Sequence, residues 1–162
     1  MNLKKNILGI DPGIERTGWC VIHSYDPSIQ SGLILTSSND LLWRRLYELQ
    51  TQIEKIIQEH NINLLAIEKF IATKKIESKL QQVLQARGVI LSLAGKFQLR
   101  VLEIAPNTIK KAITGSGKAN KNDIKNALHL IYKIEHKKGY TDDVYDAIAI
   151  ALTCKNMDSY DF

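Results

Sequence analysis

The sequence predicts an α/β fold in which a mixed five-stranded sheet is flanked by helices on both faces. Short apolar segments of strand length crowd the first 36 residues, and further apolar strands then alternate with segments of helical period. At 162 residues one compact domain is the default. A domain of this size buries about 70% of its unfolded surface without disulfides or structural metals. We therefore expect a single domain over residues 1–162.

The first three predicted strands form an antiparallel meander, and a helix follows them. Residues 7–11 and 18–23 are apolar runs separated by Pro12 and Gly13, and residues 26–28 turn the chain into a third strand around 32–36. Asn39 or Asp40 can cap the helix, which ends near residues 60–61. Its apolar positions follow the 3.6-residue period: Leu42, Leu46, Leu49, Ile53, Ile56 and Ile57.

The remaining elements alternate between strand and helix. Residues 64–68 form an apolar run that ends in a carboxylate, a pattern typical of a strand buried on both faces. A helix over residues 78–97 leads to a fifth strand at 100–104. Pro106 stands where a first helical turn tolerates proline, and Gly115 and Gly117 interrupt that helix with a basic loop before Asn122 restarts one. The last helix is predicted over residues 142–155.

Composition excludes several classes of protein. With 44% hydrophobic and 24% charged residues the chain is neither disordered nor collagen-like. Cys20 and Cys154 lie far apart without a CxxC motif, which predicts buried free thiols in a reducing compartment rather than a zinc site or a disulfide framework. The first residues do not form a signal peptide, and no apolar run approaches the roughly 18 residues of a membrane helix. We expect a cytoplasmic protein without a membrane partner.

The net charge of +5 is unevenly distributed along the chain. Between Lys69 and Lys125 there are 12 basic and 3 acidic residues, whereas the remainder carries 10 basic and 14 acidic residues. The cationic third of the chain favours a polyanionic partner such as nucleic acid. A lysine-rich solvated helix face is the alternative interpretation of the charge pattern taken alone.

Four carboxylates fall at positions that suggest chemistry. Asp11 and Glu68 each end an otherwise apolar strand, and two such strands side by side would bring both acids to one sheet edge. Asp143 and Asp146 are three residues apart on the last helix and therefore share one helical face. Singly, Asp11 could be a turn former, Glu68 a strand-end charge and Asp142 or Asp143 a helix cap. Jointly, and with the basic middle of the chain, the acids favour a functional site.

The chemistry of these acids favours hard divalent cations. Four converging carboxylates without histidine or cysteine suit Mg²⁺ or Mn²⁺ better than zinc. Two such ions about 3.5–4 Å apart can activate water and stabilise the leaving oxygen of a phosphoryl displacement. Phosphodiester hydrolysis is the expected use of this site.

Several motifs together resemble the RuvC-type Holliday-junction resolvases. They are ILGIDPG at residues 7–13 with Thr17 and Gly18, AIE at 66–68, QARGV at 85–89 and DVYDAIAIA at 143–151. Their order and spacing match over essentially the entire chain. The resemblance implies a ribonuclease-H-like fold and a homodimer that uses Mg²⁺ or Mn²⁺. Each subunit would nick one of two strands of like polarity at a four-way DNA junction, and a branch-migration motor complex is a candidate further partner.

The resemblance also implies roles for individual residues. The metal-binding acids of the family correspond to Asp11, Glu68, Asp143 and Asp146, and Asp142 is kept as an alternative ligand. Basic residues that contact the scissile region correspond to Lys110 and Lys121, and we expect Lys121 to be catalytic. A flexible glycine-containing loop would bring its ammonium group to the phosphate. The remaining predicted DNA-binding residues are Lys118, Phe70, Ile71, Lys74, Lys75 and Arg87.

One departure from the family pattern concerns the junction wedge. Three residues after the fourth-strand acid the family usually has an aromatic residue, whereas this chain has Ile71, preceded by Phe70. Apolar side chains other than aromatics can separate base steps, so either residue could serve. An ordinary core contact is the alternative role for both. Leu84 also stands before the QARGV motif where glycine is more usual.

Two other functions stay open from the residues alone. An actin-like ATPase or kinase fragment would also begin with an apolar strand and an Asp-x-Gly motif, but it normally needs a duplicated fold of about twice this length. A junction-binding or RNA-processing relative without resolvase activity is the other alternative. The complete set of four acids argues against a protein that only binds.

Overall fold

The computed structural model describes residues 5–71 and 78–157. Its strands are β1 (Asn6–Asp11), β2 (Arg16–His23), β3 (Asp26–Leu35), β4 (Leu64–Glu68) and β5 (Arg100–Ile104). Its helices are α1 (Leu42–Glu59), α2 (Ser78–Lys96), α3 (Pro106–Thr114), α4 (Lys121–Leu130) and α5 (Asp142–Met157). Lys74 and Lys75, both predicted to contact DNA, lie outside the described residues. None of the helices in the described ranges is long and apolar enough to cross a membrane.

The five strands form one mixed sheet in the order β3-β2-β1-β4-β5. The first three strands pair antiparallel, whereas β4 pairs parallel with both β1 and β5. Both parallel pairs are connected by a helical crossover, as parallel pairing requires. This arrangement confirms the predicted mixed α/β sheet of five strands.

The two faces of the sheet bury separate apolar cores. Residues 7, 20, 22, 64, 66 and 104 face one core, which α3, α4 and α5 cover. Residues 8, 10, 21, 65 and 67 face the other core, which α1 and α2 cover. Because side chains alternate along a strand, Asp11 and Glu68 lie on the same face as Ile7 and Leu64. Both acids therefore lie on the side of the sheet that α5 covers.

Two element boundaries differ from the prediction in the first half of the chain. The third strand begins at Asp26 instead of near residue 32. Its pairing with β2 is irregular between Ile22 and His23, and Pro27 lies in this irregular part of an edge strand, where a missing backbone donor is tolerated. The cap of α1 is Leu41 and not Asn39 or Asp40, and it makes no side-chain capping bond.

Both cysteines are free and buried, as the sequence predicts. Cys20 lies in the core beneath α5, and burial alone raises the pKa of its thiol far above the ordinary value. Cys154 belongs to the same core. The two thiols therefore fill space within the apolar interior.

Candidate active site

The ends of β1 and β4 bring two acids to one edge of the sheet. Ile10 on β1 is paired with Ile67 on β4, so the following residues, Asp11 and Glu68, are neighbours on adjacent parallel strands. Both point to the α5 face, as the alternation of core residues along each strand requires. The predicted juxtaposition of these two carboxylates is therefore present.

Two glycines allow α5 to lie directly against β1 and β2. A Cβ atom on Gly18 would stand 1.9 Å from the carbonyl oxygen of Asp143, and one on Gly9 would stand 2.7 Å from the carbonyl oxygen of Ala147. No side chain fits at such distances, because real Cβ contacts are essentially always longer than 3.0 Å. The absence of side chains at these positions therefore sets the close approach of the first turns of α5 to the end of β1.

The pKa values show that four carboxylates share one electrostatic environment. The pKa of Asp11 is raised to about 7, first by burial of its carboxyl group and then by the charges of Asp146, Asp143 and Glu68. Burial also raises the pKa of Asp146, which Lys121 opposes. Glu68 is an exposed residue at the strand end, but partial burial of its carboxyl group and the charge of Asp146 raise its pKa. The acids therefore accumulate unfavourable negative charge in a partly desolvated place.

Asp142 behaves differently from its two neighbours on α5. Its carboxylate is 44% exposed and lies 2.6 Å from the ammonium group of Lys125. The hydrogen bond from Lys125 holds the pKa of Asp142 below its ordinary value. By contrast, the charges of Asp143 and Asp146 act on Asp11. The structure thus couples Asp143, rather than Asp142, to Asp11.

Cationic side chains contact two of the four acids. The guanidinium of Arg16 lies 3.0 Å from Oδ2 of Asp143, which also accepts a hydrogen bond from the hydroxyl of Thr141. The ammonium of Lys121 lies 3.4 Å from Oδ2 of Asp146 and 3.8 Å from Oδ2 of Asp142. The sequence reasoning missed Arg16. Its position at the start of β2, directly after the turn that follows Asp11, could have indicated that its side chain lies near the acids.

The four acids suit a hard cation in their chemistry, although their side chains do not yet enclose one. Within the described ranges no three carboxylate, imidazole or thiolate groups stand close enough together to hold an ion. The donor set consists of oxygens, which Mg²⁺ and Mn²⁺ prefer. The raised pKa of Asp11 marks a place where positive charge would relieve repulsion.

A cleft of about 580 Å³ opens beside these acids. Acidic residues line it from β1, β4 and α5, and three basic or polar residues from α3 and the start of α4 form what we call its basic wall: Lys110, Asn120 and Lys121. Its lining comprises Asp11, Glu68, Asp146, Lys110, Asn120, Lys121 and the apolar residues Pro106, Ile109, Ile124, Ala149 and Ile150. The structure therefore brings Lys110 and Lys121 to the acids, as predicted.

The sequence suggested that Lys121 lies in a flexible glycine-containing loop. In the structure it is instead the first residue of α4. The side chain of Asn120 accepts hydrogen bonds from the backbone amides of Asn122 and Asp123. The carboxylate of Asp123 accepts one from the amide of Asn120, which completes a capping box. This cap fixes the start of α4, so Lys121 is held on an ordered helical turn.

The other predicted DNA-binding residues occupy different environments. Lys118 is exposed near Thr114 and Ser116, beside a second hollow rather than in the acidic cleft. Phe70 is half-buried, whereas Ile71 is 60% exposed directly beyond the end of β4. Arg87 was expected at a DNA surface, but it is buried, and its guanidinium contacts the main chain of Glu68 and the carboxylate of Glu103.

Comparison with known proteins identifies the family. The family model described as crossover junction endodeoxyribonuclease RuvC matches residues 7–154. Proteins of that name from Orientia tsutsugamushi strain Boryong and Rickettsia massiliae are 41% and 37% identical to this chain. The first match covers 91% of this chain and 92% of the relative, and the second covers 95% and 99%.

A solved structure shares the fold. The structure of Thermus thermophilus RuvC in complex with a Holliday junction substrate matches with a TM-score of 0.81 over 96% of this chain and 97% of that chain. Its sequence identity is 22%, so this likeness speaks for the fold alone, which confirms the predicted ribonuclease-H-like architecture. The family match and the two relatives carry the assignment. The chain belongs to the RuvC family of crossover junction endodeoxyribonucleases.

Proposed function

We propose that this chain is a metal-dependent endonuclease that resolves four-way DNA junctions by paired symmetric nicks in recombination and repair. The observation that carries the proposal is the shared environment of Asp11, Glu68, Asp143 and Asp146 beside a basic wall. Family membership and the relatives named crossover junction endodeoxyribonuclease support the choice of substrate. The Thermus thermophilus protein, which has the same fold and was solved in complex with a Holliday junction substrate, supports that choice further.

Asp11, Glu68, Asp143 and Asp146 would hold the metal, two ions of Mg²⁺ or Mn²⁺. When bound, such ions supply an activated water and charge stabilisation at the leaving oxygen. Their positive charge would also offset the burial and the repulsion by neighbouring acids that together raise the pKa of Asp11. Arg16, 3.0 Å from Asp143, and Thr141 would orient that carboxylate.

The basic wall of the cleft would bind the scissile phosphate. The ammonium of Lys121 stands 3.4 Å from Oδ2 of Asp146, a proposed metal ligand. A fixed cation at this position stabilises negative charge that develops on the phosphate during cleavage. Lys110 lines the same cleft and would hold the adjacent backbone. Lys118, Lys74 and Lys75 would contribute salt-dependent affinity.

The end of β4 would carry the group that opens the junction. Ile71 is 60% exposed only three residues after Glu68, and an apolar side chain inserted between base steps can unstack them. The half-buried Phe70 is the other candidate for this wedge. Because either would stand close to the acids, opening and cleavage would occur at neighbouring positions of the strand.

The proposed assembly is a homodimer of single-domain subunits. A subunit that uses the acidic cleft of the described residues would make one nick, so two matched nicks need two copies related by symmetry. A branch-migration motor complex is a further proposed partner. We place the enzyme in the cytoplasm, where its two free thiols would stay reduced.

The test is cleavage of a labelled mobile four-way junction, with a linear duplex of the same sequence as control. With Mg²⁺ or Mn²⁺ we expect symmetric nicks in the junction that can be religated directly, and no comparable cleavage of the duplex. Asp11→Asn and Glu68→Gln should bind the junction with unchanged affinity in a gel-shift assay and should not cleave it. Equal cleavage of duplex and junction, or wild-type rates in both variants, would refute the proposal.

A further inference from the structure

Arg87 is a buried cation outside the acidic cleft. It belongs to α2, on the opposite face of the sheet from α5, and is only 7% exposed. Its Nη1 donates a hydrogen bond of 2.7 Å to the carbonyl oxygen of Glu68, and its Nη2 donates one of 2.6 Å to Oε2 of Glu103. One guanidinium thus joins a helix to the ends of two neighbouring strands.

Stability alone does not explain a guanidinium at this position. Taking a charge out of water is costly, and well-packed apolar residues often replace a buried ion pair without loss of stability. One of the two partners of Arg87 is, moreover, the main-chain carbonyl of Glu68, a proposed metal ligand. The planar fork of arginine can hold two acceptors in fixed directions, which a lysine or an apolar side chain cannot do.

The contact lies where β4 leaves the sheet. The amide of Lys69 donates a hydrogen bond of 2.7 Å to the carbonyl oxygen of Ile104, which is the last pairing of β4 with β5. Beyond it the chain continues to Phe70 and the exposed Ile71. Arg87 binds the carbonyl oxygen of the peptide group between Glu68 and Lys69, and Ile104 binds its amide. The two contacts fix this peptide group, and they thereby fix the direction in which the Glu68 side chain projects.

We propose that Arg87 is a positioning residue that sets the geometry of Glu68 and thereby the affinity of the acidic cluster for divalent metal. The proposal rests on the proposed function, because it takes Glu68 to be a metal ligand. Glu103 on β5 holds the other half of the fork and limits the rotation of the guanidinium. Residues that support metal ligands in this way typically change affinity or activity by about 10–100-fold when replaced.

The experiment compares Arg87→Met and Arg87→Lys with the wild-type protein. Mn²⁺ binding is titrated calorimetrically without DNA, and junction affinity is measured without metal. We expect both variants to weaken Mn²⁺ binding by about 10-fold or more, with junction affinity unchanged. Glu103→Gln keeps an acceptor for Arg87 and should shift Mn²⁺ affinity by less than either variant.

Lys96→Met is the matched control. It removes another ion pair of α2, the one between Lys96 and Glu54 at 2.7 Å, without touching β4. We expect it to leave Mn²⁺ affinity unchanged. Unchanged Mn²⁺ affinity in folded Arg87 variants, or an equal loss in Lys96→Met, would overturn the proposal. If Arg87→Met does not fold, the Mn²⁺ affinity of Arg87→Lys decides. A loss of about 10-fold or more, with a smaller shift in Glu103→Gln, supports the proposal, and an unchanged affinity overturns it.

Asp11→Asn separates this proposal from the proposed function. Mn²⁺ binding that is present in the wild-type protein and lost in Asp11→Asn supports the metal site, and the Arg87 variants then test positioning alone. If the wild-type protein binds no Mn²⁺, or Asp11→Asn binds it equally well, the proposed metal site itself is wrong and the role of Arg87 falls with it.

Discussion

The acids on the strands and the acids on α5 reach the same site by different means. Backbone pairing of β1 with β4 places Asp11 beside Glu68, and the pKa of Asp11 rises to about 7 mainly because its carboxyl group is buried. Helix packing places Asp143 and Asp146, and each has a cation within 3.0 or 3.4 Å. Asp11 is thus held by strand pairing and desolvated, whereas the partly buried Asp143 and Asp146 each contact a cation, Arg16 or Lys121.

This difference suggests how the site balances charge. Opposing a desolvated carboxylate with a cation is favourable, and the contacts of Arg16 and Lys121 stay partly hydrated because both side chains are at least half exposed. The strand acids instead keep their positions through main-chain hydrogen bonds. The helix acids should therefore be sensitive to helix position, and Asp11 to pH.

The largest expected effect separates Asp143 from Asp142. Asp143→Asn removes an acid that acts on Asp11 and should lower cleavage by more than about 100-fold, beyond the loss typical of residues that only support a metal ligand. Asp142→Asn loses an exposed ion pair with Lys125, which is worth less than about 1 kcal/mol, and should change the rate by less than about fivefold. Single-turnover cleavage of the junction measures both. The opposite ranking would make Asp142 the ligand.

The second prediction concerns the stability of the metal-free protein. The pKa of Asp11 is raised from 3.8 to about 7 in the folded protein, so between these values the folded state binds more protons than the unfolded chain. Stability is therefore lost as the pH rises through this window, and the loss is complete above about pH 7. Asp11→Asn should raise the free energy of unfolding by about 2–4 kcal/mol near pH 8 and by little near pH 4.

Urea denaturation in the presence of a chelator measures this pH dependence. Asp40→Asn, a change at an exposed aspartate outside the cleft, is the control and should alter stability equally little at both pH values. Equal stabilisation by Asp11→Asn at both pH values would show that ionisation of the Asp11 carboxyl group is not the cause. Added Mn²⁺ should remove the difference in the free energy of unfolding between Asp11→Asn and the wild-type protein, because the wild-type carboxylates then gain a cation.

The sequence was sufficient to predict the elements that carry the acids. Apolar strands ending at Asp11 and Glu68, and the spacing of Asp143 and Asp146, led to the right edge of the sheet because strand and helix periods determine which residues share a face. The predicted family and the α/β fold are confirmed by the comparisons. The ligand roles of the four acids stay predictions.

What could not be predicted depends on long-range packing. The QARGV motif marks the position of Arg87, but only the packing of α2 brings its guanidinium to Glu68 and Glu103. Arg16 meets Asp143 only because α5 crosses the start of β2. The Asn120 and Asp123 capping box that orders Lys121 was readable from the sequence, but the preceding glycines favoured a loop.

The smallest expected effect tests how the helix acids are positioned. In Gly18→Ala the new Cβ would stand 1.9 Å from the carbonyl oxygen of Asp143, so α5 must move outward. We expect a loss of about 1–3 kcal/mol in the free energy of unfolding, the usual cost of overpacking. Cleavage should fall as well, because Asp143 and Asp146 move away from Asp11, while binding of the junction is retained.

Gly95→Ala is the matched control for this substitution. Gly95 lies in α2 with no atom within 4 Å of an added Cβ, so alanine there should stabilise the helix by about 0.5–1 kcal/mol and leave cleavage unchanged. Thermal unfolding and cleavage are measured for both variants. If Gly18→Ala loses stability but cleaves at the wild-type rate well below its melting temperature, the close approach of α5 serves only the core. The helix acids would then tolerate displacement, and the position of α5 would not limit cleavage.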